Sequence, residues 1–518
     1  MRRAARSLAA NTVKEQMKGF REWGVMADWD KAWTTMDKTF EIKQLGVFQE
    51  MVKKGLIFRR YKPVYWSPSS RTALAEAELE YKEDHVSTAA YVKFPVTSVP
   101  DVLKGKLPES GSLYAVIWTT TPWTLPANRA IAVHHDVEYS VVKSGSDLLL
   151  IASRRLPQLT KLLFGETSVE VVVDSILGSD LVGTQYVNAL RGKGSVPQPV
   201  IHADYVSAES GSGLVHLAPG HGMEDYDVCT PLGINADAPV NDLGCFTSAA
   251  LPDDPQALEG KPVLDGGSSE VLKILGDEVL AVHKYKHKYP YDWRTKLPVI
   301  VRATEQWFAD VGSVKDHALK SLDEVRFIPE GGQARLVSFV KGRSEWCISR
   351  QRAWGVPIPA LYNEDGVAVL TDDSVAHIIS VIYERGIDAW WTDSPDDPAW
   401  TVPGLQGQYR RGKDTMDVWF DSGTSWTQSD QEADVYIEGT DQHRGWFQSS
   451  LLTHVSASGR EGAPFKTCVT HGFTLDQDGK KMSKSIGNII APSQIIDGSL
   501  LPPVESPSLL AYLYANSS

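Results

Sequence analysis

The chain has 518 residues, 42% of them hydrophobic and 23% charged, with a formal net charge of −13. That length supports two or three domains with full cores, and no apolar run approaches the ~18 residues that a membrane-spanning helix needs. The acidic balance excludes a protein that coats nucleic acid indiscriminately, but not one that grips RNA through a local basic patch.

The chain opens with Arg2, Arg3, Arg6 and Lys14 and no acid before Glu15. Two readings fit: an organelle leader, or a helix over Ala4–Phe20. Residues up to about Pro95 look helical, with one extended piece at Lys62–Trp66. From about Val96 to Lys284 the pattern becomes short β-rich runs, at Leu113–Trp118, Leu148–Ile151 and Val169–Val173, separated by Gly and Pro turns. Ala249–Glu270, rich in Pro, Asp, Gly and Ser, reads as an exposed loop. From Tyr289 onward apolar strands alternate with helical patterns, the rhythm of a parallel α/β sheet. Val435–Glu438 and Lys466–His471 read as buried strands, each running into a polar turn of the kind where ligands sit. No internal repeat is present. Cys229, Cys245, Cys347 and Cys468 form no Cys-x-x-Cys pair, which fits a reducing compartment and gives no zinc framework.

Five strings carry chemistry. Asp478-Gly-Lys-Lys-Met-Ser-Lys-Ser-Ile-Gly-Asn488 puts Lys480, Lys481 and Lys484 between turn residues. It reads as a mobile loop that brings cations to a phosphate, against the plainer reading of a solvated surface loop. In Tyr436–Phe447 an apolar strand runs into Glu438, Gly439 allows close backbone approach, and Asp441, Gln442 and Trp446 follow. A carboxylate suits ribose hydroxyls or an ammonium, and an amide with an indole suits a small apolar amino acid. The plainer alternative is a helix start with Asp441 as N-cap. Trp346–Pro357 holds Arg350 and Arg352, which could face phosphate, beside Trp354, against the plainer reading of a surface cation–π pair. In the β-rich block, Thr119-Thr120-Thr121 lines up three hydroxyls ahead of Pro122, although β propensity alone would account for such a run. Downstream, His216, His221, Glu224 and Asp225 suggest a metal site, but the His-Glu-x-x-His spacing of a zinc helix is absent.

As whole strings these segments resemble isoleucyl-tRNA synthetases, within the class I aminoacyl-tRNA synthetases. The resemblance runs from Ala4 to about Asp497, which favours a helix over a leader at the chain start. It implies an α/β, Rossmann-type catalytic domain interrupted by a β-rich editing domain. The expected divisions are 1–95 and 285–497 for the catalytic parts, 96–284 for the insertion and 498–518 for a divergent tail.

The implied activity is ATP-dependent activation of isoleucine and its transfer to the isoleucine tRNA, with hydrolysis of mischarged Val-tRNA. Carried over residue by residue, Lys481 and Lys484 are the catalytic cations. Glu438, Gly439, Asp441 and Lys484 bind ATP or the adenylate, and Trp354, Gln442 and Trp446 line the amino-acid pocket. Thr119, Thr120, Thr121, Asn128 and His216 line the hydrolytic pocket, where Asp225 holds the α-ammonium. Valyl and leucyl relatives carry an arginine-containing threonine motif, so Thr121-Pro122-Trp123 favours isoleucine. Editing is needed because one methylene discriminates by only ~1–3 kcal/mol, and the isoleucine–valine pair is the standard case. Asp417–Gly423 matches as support of the site.

ATP with Mg²⁺ is the implied substrate complex. No metal belongs to the protein, since Ser67 and Ser70 stand where some bacterial relatives carry cysteines. A monomer without a membrane partner is expected. Lys62–Glu78 looks most like the mitochondrial form, with the cytoplasm as the alternative address. The family's His-x-Gly-His motif would precede residue 1, and its anticodon-binding domain would follow residue 497. A truncated ligase, an editing-only hydrolase and a non-catalytic tRNA-binding fragment are therefore the rival readings.

Overall fold

The structure, a computed structural model, describes residues 1–108, 111–165, 169–482 and 487–499. It divides into two compact units, one built from 1–59 together with 307 onward, the other from 60–306.

The 60–306 unit is a β barrel with extensions. Strand Leu79–Ser98 pairs antiparallel with Ser112–Thr119. That pairing closes a ring that runs onward through Val215–Leu217, Ala130–Val133, Gln198–His202 and Gln185–Tyr186. Ser112–Thr119 reads Ser-Leu-Tyr-Ala-Val-Ile-Trp-Thr, the β-branched and aromatic mix that fits a pleated surface, and it buries Leu113, Ala115, Val116 and Ile117. Strands Asp147–Ala152, Glu138–Ser144 and Glu170–Leu177 extend the sheet from Ser112–Thr119. All three expected β runs are therefore strands. Small side chains pack the inner ring, with Ala130, Ala132, Ala203 and Leu217 against Ile201, Val206 and Cys229.

The extended piece expected at Lys62–Trp66 lies within strand Ile57–Ser67, but the helical reading of the rest of the first 95 residues fails beyond residue 56. Ile57–Ser67, Thr72–Leu74 and Leu79–Ser98 are strands. Leu79–Ser98 pairs with Val279–Asp292 from Leu79↔Asp292 to Val92↔Val279. Charged residues at Glu80–Asp84 hide the period-2 pattern, and a partner some 200 positions away supplies the pairing that local sequence cannot. The same ribbon makes this unit wider than the 96–284 block. Ala249–Glu270 is mostly exposed but pinned by buried Ala250, Leu251, Leu258 and Val263, and it ends in helix Ser268–Leu275.

In the other unit, Arg326–Ile328, Phe465–His471 and Ala433–Gly439 form a parallel three-stranded sheet. Helix Gly331–Lys341 follows Arg326–Ile328 in the chain, and helix Trp446–Ala457 lies between Ala433–Gly439 and Phe465–His471. This is the expected α/β rhythm. The core gathers Leu45, Phe48, Trp346, Ile378, Phe420, Phe447 and Phe465. Ala433–Gly439 is not a buried strand, however: Val435 and Ile437 are 53% and 61% exposed, and only Tyr436 and Gly439 turn inward. It stands at the sheet edge, with its inner face on Trp446–Ala457. The chain start is helix Arg2–Glu22, with no buried residue.

Candidate functional site

The 60–306 unit holds a cavity of about 250 Å³ lined by Thr119, Thr120, Thr121, His216 and Asp225 among others. The residues arrive from three places. Strand Ser112–Thr119 ends at the threonine run, and a 3₁₀ helix, Pro122–Ala127, turns the chain away. Thr121 N–H donates to Thr119 Oγ1 at 3.0 Å, so the run folds on itself instead of continuing as a strand. His216 comes from Val215–Leu217, and Asp225 from the first turn of helix Met223–Cys229.

Asp225 is held from two sides. Ala218 N–H donates to its Oδ2 at 2.8 Å and Tyr205 OH to its Oδ1 at 3.2 Å. Burial nevertheless pushes its carboxyl up to about 6. A half-buried carboxylate with spare lone pairs is a receptor for an ammonium. Gly222 makes the room: a Cβ there would stand 2.6 Å from Asp225 Oδ2.

His216 is locked by a chain of donors. Asn128 Nδ2 lies 3.0 Å from Ala130 O and 2.9 Å from His216 Nδ1, while Tyr186 OH donates to Asn128 Oδ1 at 2.6 Å. The amide nitrogen must face the Ala130 carbonyl, so His216 Nδ1 accepts. His216 Nε2–H then donates to Thr124 Oγ1 at 2.9 Å, and the Thr124 hydroxyl donates in turn to Thr121 O at 2.8 Å. With both ring nitrogens engaged, and burial lowering it to about 3, His216 is a neutral, fixed wall of the cavity. Asn128 is fully buried and is absent from the cavity lining, so its place is behind His216, as the group that sets its tautomer.

Sequence reading passed over Thr124, Tyr205 and Gly222, although Thr124 sits three residues past Thr121 in the tight turn and Gly222 three before Asp225. His221, noted only as a metal candidate, lines the same cavity. Its Nδ1–H donates to Val301 O at 2.8 Å, its ring meets Trp123 edge-on at 5.0 Å, and burial lowers it to about 4. Among the described residues, no group of three or more His, Cys, Asp or Glu could hold a metal ion. Ser67 and Ser70 both donate to Asp292 Oδ2, at 2.7 and 2.5 Å.

In the other unit Glu438, Gly439 and Asp441, three of the expected nucleotide residues, lie at the end of strand Ala433–Gly439. Glu438 Oε1 accepts from Gly439 N–H at 3.0 Å and lies 4.0 Å from His471 Nε2. Asp441 caps no helix; it sits inside the 3₁₀ turn Thr440–Arg444, whose own N-cap is Gly439. A Cβ on Gly439 would stand 2.7 Å from Asp441 Oδ1, so a larger residue there would displace the Asp441 carboxylate. Gln442 Oε1 accepts from Trp446 N–H at 3.1 Å. The Trp446 indole stacks on Tyr436 at 4.1 Å and donates to Ser425 Oγ at 3.0 Å. These two belong to one place; Trp354 instead lies under the guanidinium of Arg2 at 5.2 Å, with Arg6 at 5.4 Å. Arg350 is no phosphate ligand. It is buried and ion-paired to Asp417 Oδ2 at 2.9 Å, the oxygen that also accepts from the Trp346 indole at 2.8 Å. The Asp417 string is thus core support.

Lys481 Nζ lies 3.4 Å from the centre of the Phe473 ring, and Phe473 also approaches Gly439. Asn488 Nδ2 donates to Asp476 Oδ2 at 2.7 Å. Lys484 falls outside the described residues, as does the tail from 500.

The profile of the tRNA synthetases class I (I, L, M and V) matches residues 1–509, and the chain belongs to that family. It is 46% identical to the isoleucine–tRNA ligase of Acaryochloris marina (strain MBIC 11017), over 96% of this chain and 51% of that protein. It is also 46% identical to that of Nostoc punctiforme, over 98% of this chain and 53% of that protein. The chain therefore spans about half the length of the curated relatives it matches. A solved Agrobacterium radiobacter LeuRS in ternary complex with tRNA and LeuAMS covers 98% of this chain and 63% of its own at 18% identity, with a TM-score of 0.38.

Proposed function

We propose that the protein is an isoleucine–tRNA ligase and that the 60–306 unit of this chain is its hydrolytic editing unit, acting on Val-tRNA. The observation that carries the reading is the single cavity shared by the threonine run, His216 and Asp225. In this reading Asp225 pairs with the α-ammonium of the misattached amino acid. The threonine hydroxyls face the ester, where a water oxygen bonds to the carbonyl carbon. The ester C–O bond breaks, and the ribose hydroxyl leaves with a proton taken from the water. His216, neutral and immobile, bounds the space left for the side chain.

The α/β unit carries the synthetic half of the proposal. Glu438, Gly439 and Asp441 bind the adenylate, Gln442 and Trp446 meet the isoleucine side, and Lys481 and Lys484 neutralise the triphosphate. Positioning and charge neutralisation are most of what phosphoryl chemistry requires. Mg²⁺ arrives on the ATP phosphates, as is usual for this ion. Trp354 is assigned to the amino-acid pocket by resemblance only. By the same resemblance the protein works as a monomer in the mitochondrial matrix, with the cytoplasm as alternative.

The decisive experiment gives the purified chain two separate assays, release of valine from Val-tRNA and isoleucine-dependent ATP–pyrophosphate exchange. Deacylation with little exchange is expected, because no His-x-Gly-His string lies within these residues. Removing such transition-state donors costs about two to three orders of magnitude in rate. Exchange with no deacylation would reject the editing assignment.

A further inference from the structure

A second cavity of about 430 Å³ lies in the same unit, walled in part by Pro126 and Ala127 at the end of the Pro122–Ala127 helix away from the threonine run. Its wall includes Tyr61, Arg129, Arg191, Asp237, Pro239 and Thr247. No residue of this wall lines the first cavity. The volume falls within the ~300–1,000 Å³ that small-molecule sites occupy.

The lining is rich in donors and poor in acceptors. Arg191 is half-buried, and its guanidinium has no hydrogen bond or ion pair among the described residues. Burial lowers its pKa, with no acid nearby to compensate. Arg129 is paired with Asp237, yet its Nε is buried without a partner. The hydroxyls of Tyr61 and Thr247 also lack partners among the described residues. Asp237, the one carboxylate of the wall, is already engaged, and nearby Asp253 is turned to the Lys193 N–H at 2.7 Å. An uncompensated, half-buried guanidinium is costly unless a ligand brings the counter-charge. A fork of N–H donors with two hydroxyls beside it offers enough donors to meet several oxygens of a phosphate at once.

We infer that this cavity is a phosphate-binding site, filled either by a phosphodiester of an RNA end or by the phosphate of a free nucleotide. The walls of Pro126, Pro239 and Pro252 with Tyr61 leave apolar surface for the attached ribose or base. The RNA source rests on the editing reading, whereas the free-nucleotide source does not. Arg129 N–H also donates to Leu217 O at 2.9 Å, and Asn128 beside it fixes His216. A ligand on Arg129 therefore lies one residue from the relay that shapes the first cavity.

The test is titration of the full chain with inorganic phosphate, followed by calorimetry or phosphorus NMR linewidth. Adenosine monophosphate and a short hairpin RNA with a single-stranded CCA end serve as competitors. Saturable phosphate binding is expected, weakened about tenfold or more in Arg191→Gln and less in Arg191→Lys, since one charge-assisted hydrogen-bond set is lost. Displacement by the nucleotide or by the RNA identifies the source. Absence of saturable phosphate binding overturns the inference, as does an Arg191→Gln chain with unchanged circular dichroism and unchanged affinity. Because binding is read instead of deacylation, this inference and the editing assignment fail independently.

Discussion

Asp225 shows how one side chain trades stability for a ligand. Its folded carboxyl sits at about 6, above its ordinary value of 3.8, because burial opposes charge. A group raised in this way stabilises the fold fully only below its unfolded value. That contribution is lost as pH rises through about 6, so at neutral pH ionised Asp225 is a burden on the fold. Asp225→Asn keeps an acceptor for Ala218 N–H and offers a donor to Tyr205. Its melting temperature at pH 7 should therefore match or exceed that of the parent. Deacylation of Val-tRNA should meanwhile fall by about 30-fold or more, the effect of losing a buried charge partner worth roughly 2–5 kcal/mol. Thermal melts and deacylation rates on the same preparations check both halves; a lower melting temperature would mean the carboxylate is there for the fold. In the parent, KM for Val-tRNA should rise as pH drops through about 6, when the carboxylate takes up its proton.

At the scale of elements, the cavity depends on where strands and turns stop. The turn into helix Met223–Cys229 has Gly222 at its N-cap with φ −140°, a backbone angle any residue adopts. Its importance lies in space, because a Cβ would stand 2.6 Å from Asp225 Oδ2. Gly222→Ala should leave the fold within about 1 kcal/mol and still reproduce much of the Asp225→Asn deacylation loss, mainly as raised KM. Wild-type KM in this variant would show that the carboxylate is free to move. The ribbon strand Val279–Asp292 carries a second element-scale pattern. His283, Tyr285, His287, Tyr289 and Tyr291 alternate with Lys284, Lys286 and Lys288. His85 from the paired strand stacks on Tyr289 at 4.2 Å, and Tyr285 meets Trp118 at 5.2 Å. This alternation was available in the sequence and marks the strand plainly.

For the molecule as a whole, the two sets of functional residues fall in different compact units. Lys484→Ala in the lysine loop should abolish adenylate formation in a synthesis-competent form and leave Val-tRNA deacylation unchanged. Loss of both activities together would refute two separate sites. The units should also differ in acid resistance. His216 and His221 are lowered to about 3 and 4 by burial, so the unfolded chain takes up these protons from about pH 6.5 downward while the fold refuses them. Stability of the β unit is therefore lost as pH falls through that window, partly offset by Asp225. Urea unfolding at pH 7 and pH 5, followed by hydrogen exchange in each unit, should show the β unit opening first at pH 5.

Motif residues close in sequence were legible from sequence alone. The threonine run and the Glu438–Trp446 string depend on neighbours within a turn or two, and the whole strings pointed to the synthetase family. The β runs at Leu113, Leu148 and Val169 were likewise readable, since β-branched and aromatic residues fit a pleated surface whatever their partner. Tertiary structure decided the rest. Leu79–Ser98 became a strand because Val279–Asp292 supplied hydrogen bonds from far along the chain. Arg350 became half of a buried ion pair because Asp417 folded against it. Asn128 moved behind His216 because Tyr186 and Ala130 fixed its amide. Which way a polar side chain turns is set by the partners that remove its desolvation cost, and those partners are chosen by the fold, not by the neighbouring residues.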